Sequence, residues 1–156
     1  MTSDAQVLQA SPLLSGLAEG EVQNLLNTAQ RRAYAPGERV VQEGTPSDCL
    51  FILVKGSVQV EKGEGQELVV LAVLEEEGDF FGEMSLIDIL PRSAHIRALD
   101  QVEVLAFPKK ALAALFTKTP RLQMTMILNI ARILSLRLRA ADARIAQLSR
   151  ATQRGA

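Results

Sequence analysis

Between Arg31 and Pro108 the chain is cut into short, β-branched apolar runs by Pro36-Gly37, Gly44, Gly56, Gly63, Gly65, Gly78 and Gly82. Punctuation at this interval predicts many short strands joined by turns, and it excludes a long helix from the segment. Pro36-Gly37 suits the central pair of a type II turn, because proline presets φ and glycine accepts a positive φ. Cys49 to Val54 is apolar throughout, and Val69, Leu71 and Val73 alternate with Leu68, Val70 and Ala72. Neither run has a polar face, which predicts strands buried on both sides. Six to eight such strands suit a closed or doubly layered sheet, a jelly roll or small barrel.

Helical texture flanks this region. Leu17, Val22, Leu25, Leu26 and Ala29 recur at helical spacing within Leu13 to Ala29, and Lys109 to Phe116 is rich in Ala and Leu. Thr119-Pro120 reads as an N-cap followed by proline at the first helical position. No glycine or further proline then occurs before Gly155. Thirty residues of that helix would span about 45 Å. Its apolar seam, Ile127, Ile130, Leu134, Leu138, Ala141, Ile145 and Leu148, is close to a heptad pattern. The helix outruns the body it could cover, so a homodimer through this seam is expected. The fold class is α+β: an antiparallel β-roll with N-terminal helices and a long C-terminal helix. The expected single domain divides into 1–30, 31–108 and 109–156.

The 156 residues suit one domain, and no apolar run reaches the length of a membrane span. Met1 to Gln6 shows neither a basic start nor an apolar stretch, and Cys49 is the sole cysteine. These features point to a cytoplasmic chain without disulfides or membrane association. From Lys109 onward ten basic residues face one acid, Asp142, while seven basic and seventeen acidic residues precede them. The basic end is read as a solvated helix face that offsets the acidic body rather than as a nucleic-acid contact.

The chemistry concentrates in residues 80–98. Gly82 precedes a possible single helical turn, whose unpaired backbone N–H groups would form an anion site. Arg92, about ten residues on, can return a planar fork suited to phosphate oxygens, and Ser93 adds a hydroxyl donor. Glu83 beside this positive site requires a donor of its own, such as a sugar hydroxyl. An anion and a hydroxyl side by side describe a ribose phosphate.

With Phe81-Gly82-Glu83, Leu86, Pro91-Arg92-Ser93-Ala94, Ile96 and Ala98, the chain resembles the cyclic-nucleotide-binding domain family of catabolite activators, kinase regulatory subunits and gated channels. Ser11-Pro12-Leu13, Gly16-Leu17, Tyr34, Pro36-Gly37-Glu38, Gly44, Asp48 and Gly56-Ser57-Val58 agree with it. The resemblance implies a phosphate-binding cassette at 81–94. In it Gly82 and its neighbours donate to the cyclic phosphate, Arg92 and Ser93 bind it, and Glu83 accepts the ribose 2′-hydroxyl. Leu71 and Ala72 would lie near the base, and Arg132, Arg137 and Arg139 at its level on the long helix.

The candidate ligand-binding set is therefore Leu71, Ala72, Phe81, Gly82, Glu83, Met84, Ser85, Arg92, Ser93, Ala94, Arg132 and Arg137, with no catalytic or metal-binding residue and no cofactor. The expected function is a non-enzymatic receptor for cyclic AMP, with cyclic GMP second, that relays occupancy through its C-terminal helix to a protein effector or dimer interface. A cyclic-dinucleotide sensor and a ligand-free interaction module are the alternatives. Activators of this family place a helix-turn-helix after the long helix; this sequence leaves no room for one, so direct DNA binding is not expected.

Three features depart from the family pattern. The turn Leu74 to Asp79 is one residue longer than the family's usual turn, Ile89 replaces a common glycine, and Arg137-Leu138 stands where a hydroxyl pair reads adenine. Elsewhere, His95 is expected at the surface or the pocket rim, Glu75-Glu76-Glu77 in a solvated turn, and Met84, Met124 and Met126 as core filler. One histidine cannot supply a cupin metal site.

Overall fold

The structure, a computed structural model, describes residues 3–87 and 90–155. Among them are eight strands: β1 (Gln30–Tyr34), β2 (Arg39–Val41), β3 (Cys49–Lys55), β4 (Val58–Lys62), β5 (Val69–Leu74), β6 (Phe80–Phe81), β7 (His95–Ala98) and β8 (Val102–Pro108). They form two antiparallel four-stranded sheets, ordered β1-β8-β3-β6 and β2-β7-β4-β5, which makes the β-roll.

The continuous apolar run of β3 is explained by what lies on either side of it. Leu50, Ile52 and Val54 face the helices, where they join Leu8, Leu13, Leu25, Phe107, Leu112, Met126 and Ile130. Phe51 and Leu53 point the other way and meet Val58, Phe81, Ile96 and Val104 between the sheets. A strand's alternation of side chains thus serves two cores. β5 departs from expectation. It closes one edge of its sheet with Val69, Val70, Leu71 and Val73 all exposed, because among the described residues only β4 pairs with it and no layer covers its outer side.

Four α-helices complete the fold: α1 (Asp4–Ala10), α2 (Glu19–Leu26), α3 (Lys109–Lys118) and α4 (Pro120–Arg154). α1 lies within the segment 1–30 expected to be helical, ahead of the Leu13 to Ala29 pattern, and a capping box between Ser3 and Gln6 opens it. Pro36-Gly37 makes the expected turn, with φ +84° at Gly37 and Glu38 N–H donating to the Ala35 carbonyl at 3.1 Å. α4 begins at Pro120 and runs 35 residues, about 52 Å. Leu122, Met126 and Ile130 bury one face of its first half. Asn129 fixes that half in place by donating to the Leu13 carbonyl at 2.8 Å and the Ser15 carbonyl at 2.9 Å. Beyond Leu134 the seam emerges: Leu138, Ile145 and Leu148 are 63%, 61% and 55% exposed. No described helix is long and apolar enough to cross a membrane.

Two smaller expectations are corrected. His95 is buried; its Nδ1 accepts from Glu43 N–H at 2.9 Å while Nε2 lies 3.1 Å from the Gly63 carbonyl. The sheet carries loop 42–45 and the β4–β5 turn over it, so a polar strand position becomes interior. Of the three methionines, only Met126 fills the core; Met84 and Met124 are exposed.

Candidate ligand-binding site

A cavity of about 600 Å³ lies between the second sheet, the segment after β6 and the middle of α4. Gly82, at φ +75°, turns the chain out of β6 into a 3₁₀ turn, Glu83–Leu86. Arg92 is held over this turn by its backbone: its N–H donates to the Thr45 carbonyl at 2.8 Å, and its carbonyl accepts from Gly44 N–H at 2.9 Å. Loop 44–45 therefore aims the side chain. Its Nη2 donates to the Cys49 carbonyl at 2.8 Å and lies 3.5 Å from Asp48 Oδ1. The guanidinium carbon sits 5.7 Å from the centre of the Phe51 ring, itself stacked on Phe81.

The other arm of that guanidinium is different. Arg92 is only 8% exposed, and its Nη1 is buried without a hydrogen-bond partner among the described residues. Burial pushes its pKa down, against the opposing pull of Asp48. A buried donor of a charged group, left unpaired, is costly, and native structures retain one where something else completes it. Gly82 makes room for it, since a Cβ there would lie 2.6 Å from Nη1 and 2.8 Å from the Cys49 carbonyl oxygen.

Glu83 is also buried, and its Oε1 accepts from Arg137 Nη1 at 2.9 Å. The same guanidinium lies 5.2 Å from the Phe80 ring centre. The long helix thus supplies a donor to this carboxylate. Arg137 and Leu134, one helical turn apart, close the side of the cavity opposite the sheet.

Of the residues singled out from sequence, Leu71, Ala72, Phe81, Gly82, Glu83, Met84, Arg92, Ser93, Ala94 and Arg137 line this cavity together. Ser85 and Arg132 do not, and both assignments are corrected. Ser85 is turned to the far side of the 3₁₀ turn, into a separate recess shared with Leu86, Phe116 and Thr117. Arg132 is exposed; at about 100° per residue it points some 140° away from Arg137. Ile89 lies outside the described residues. Sequence reasoning missed Val41, Ser47, Val60 and Lys62, which also line the cavity. Lys62 Nζ donates to the Ser93 carbonyl at 3.1 Å. Period-two spacing of Val60 and Lys62 along β4 was the available signal.

A β-roll with a glycine-led turn, a buried arginine and a helix across the opening defines a small-molecule-binding module. The chain belongs to the cyclic nucleotide-binding domain family, whose model matches residues 31–119. It is 36% identical over 144 residues to the cyclic AMP receptor protein of Thermus thermophilus, covering 91% of this chain and 64% of that one. It is 33% identical over 104 residues to a cAMP-dependent protein kinase regulatory subunit of Hypocrea atroviridis, covering 67% of this chain and 21% of the subunit. The solved catabolite activator protein of T. thermophilus matches with a TM-score of 0.75 over 89% of this chain and 63% of that one, at 36% identity. The chain thus spans less than two thirds of the length of these relatives.

Proposed function

We propose that this chain is a non-enzymatic receptor for a cyclic purine mononucleotide, cyclic AMP or cyclic GMP, and that it reports occupancy through α4. The observation that carries the reading is Nη1 of Arg92, without a partner among the described residues and buried at the wall of the cavity beside Gly82. A cyclic phosphate oxygen supplies the missing acceptor and the missing negative charge together. Glu83 would accept the ribose 2′-hydroxyl, and Leu71, Ala72 and Leu134 would enclose the base. The chain's similarity to a cyclic AMP receptor protein and a cAMP-dependent kinase regulatory subunit favours cyclic AMP.

The exposed seam of α4, Leu138, Ile145 and Leu148, supports pairing of two chains through their helices. The Arg137–Glu83 contact supports the relay, because a ligand hydroxyl at Glu83 competes with the helix for the same carboxylate.

Isothermal titration of the wild type and Arg92→Ala with cyclic AMP, cyclic GMP and a cyclic dinucleotide tests the reading. Cyclic mononucleotides should bind the wild type, and the variant should lose about 2–5 kcal/mol of that affinity. Equal binding by both proteins rejects the phosphate assignment. Binding of the dinucleotide alone favours the larger ligand, and binding of nothing favours an interaction module.

A further inference from the structure

One buried polar group has no part in the proposed receptor. Ser85 is 1% exposed, and its Oγ has no hydrogen-bond partner among the described residues. The 3₁₀ turn that carries it acts as a partition: Glu83 and Met84 line the first cavity, whereas Ser85 and Leu86 line a second, of about 450 Å³, on the other side. A nucleotide held by Arg92 lies across that turn from the Ser85 hydroxyl. The second cavity runs between the turn, one face of α3 and the first turn of α4, and its volume suits a small molecule. Its chemistry is one-sided. Leu86, Ala113, Phe116 and Pro120 give it an apolar lining. Thr117 Oγ1 already donates to the Ala113 carbonyl at 3.0 Å. The donors that remain are the Ser85 hydroxyl, the Lys109 ammonium and the Gln123 amide, and among the described residues no carboxylate lines the space.

We infer that this second cavity is a separate small-molecule site, one that takes an organic carboxylate with a small apolar body. An ionised carboxylate only accepts hydrogen bonds, so it answers a set of groups that donate and carry one positive charge. One oxygen takes the Ser85 proton, Lys109 supplies the opposite charge, and a ring or branched chain covers Leu86 and Phe116. A hydroxyl buried without a partner is costly, and the carboxylate offsets that cost. A neutral hydrocarbon leaves Ser85 unpaired, and a cation is repelled by Lys109. The inference does not depend on what the first cavity binds.

The test is an NMR titration of the full chain, followed at its backbone amides, with phenylacetate, the neutral phenylacetamide and the cation 2-phenylethylamine. Phenylacetate should shift the amides of Ser85, Leu86, Ala113 and Thr117 saturably, in the millimolar range open to a molecule of this size. It should bind about fivefold or more tightly than the amide, because its hydrogen bonds are charge-assisted. The cation should not saturate these shifts. Ser85→Ala should weaken phenylacetate by about tenfold. Ala113→Leu fills the space from α3 with a good helix former and should abolish binding while amides elsewhere keep their positions. No saturable shift at these amides, equal binding of the three probes, or affinity unchanged in both variants overturns the inference and assigns the Ser85 hydroxyl to water alone. None of these outcomes touches the receptor reading, which stands or falls on cyclic-nucleotide binding through Arg92.

Discussion

A Cβ atom on Gly82 would lie 2.6 Å from Nη1 of Arg92, so the glycine and the arginine occupy one space that admits no side chain. Gly82 also has φ +75°, where a substituted residue is strained. Gly82→Ala should therefore cost about 1–3 kcal/mol of stability from strain alone, and should weaken cyclic-nucleotide binding at least tenfold by displacing the guanidinium. Thermal denaturation with parallel titration checks both; unchanged affinity would show that the arginine has slack.

Arg92 itself should split stability from binding. Its side chain is desolvated, with Nη2 paired and Nη1 without a partner among the described residues. Arg92→Met should therefore leave the melting temperature of the unliganded protein unchanged or raised, since replacing a buried charge by an apolar group is often neutral or stabilising. The same variant should show little or no thermal shift with ligand. A large drop in the unliganded melting temperature would mark the arginine as a structural strut instead.

Glu83→Gln tests the ribose contact. It should weaken cyclic AMP by about 1–3 kcal/mol, and its 2′-deoxy analogue far less, because the analogue has no hydroxyl to lose. Equal losses would remove Glu83 from the sugar and leave it as the anchor of Arg137 alone.

Ile145→Asp places a charge on the exposed half of the α4 seam, far from the cavity. Sedimentation should show the wild type as a dimer and this variant as a monomer that still binds ligand. A monomeric wild type at high micromolar concentration would contradict helix pairing.

Acid should act through Glu61, whose side chain is fully buried beside Arg97 at 2.9 Å. Burial alone would raise its pKa, but hydrogen bonds from Gln59 and Arg97 and the charges of Arg97 and Arg39 outweigh it and hold the carboxyl below its ordinary range. The folded state therefore binds this proton less readily than the unfolded chain. The resulting stability is fully present above the ordinary glutamate range and is lost as pH falls through the depressed folded value. Glu61→Gln should flatten the acid limb of the melting-temperature profile; an unaltered limb would assign it to other carboxylates.

That Gly82, Glu83, Arg92 and Ser93 share one cavity was legible because they lie close together in sequence and combine donors with an acceptor. What aims Arg92 was not legible, since the Cys49 and Thr45 groups that hold it are backbone carbonyls and carry no residue-type signal. Ser85 was misplaced because the 3₁₀ turn Glu83–Leu86 carries it round to the α3 side, away from its neighbour Met84. Arg132 and Arg137 look alike on paper; only the rotation of α4, set by Leu122, Met126 and Ile130 against the sheet, tells them apart. The wet outer side of β5 escaped notice because apolar residues on both faces of a strand describe a buried centre and a bare edge equally well.

The unbroken helix from Pro120 to Arg154 gives the site a lever. Its fulcrum is the clamp at Asn129, its short arm carries Leu134 and Arg137, and about 25 residues lie beyond the clamp, or about 37 Å. A tilt of 10° about that fulcrum would move Arg137 by roughly 2 Å and the far tip by roughly 6 Å, so a displacement at the cavity wall is about threefold larger at the tip.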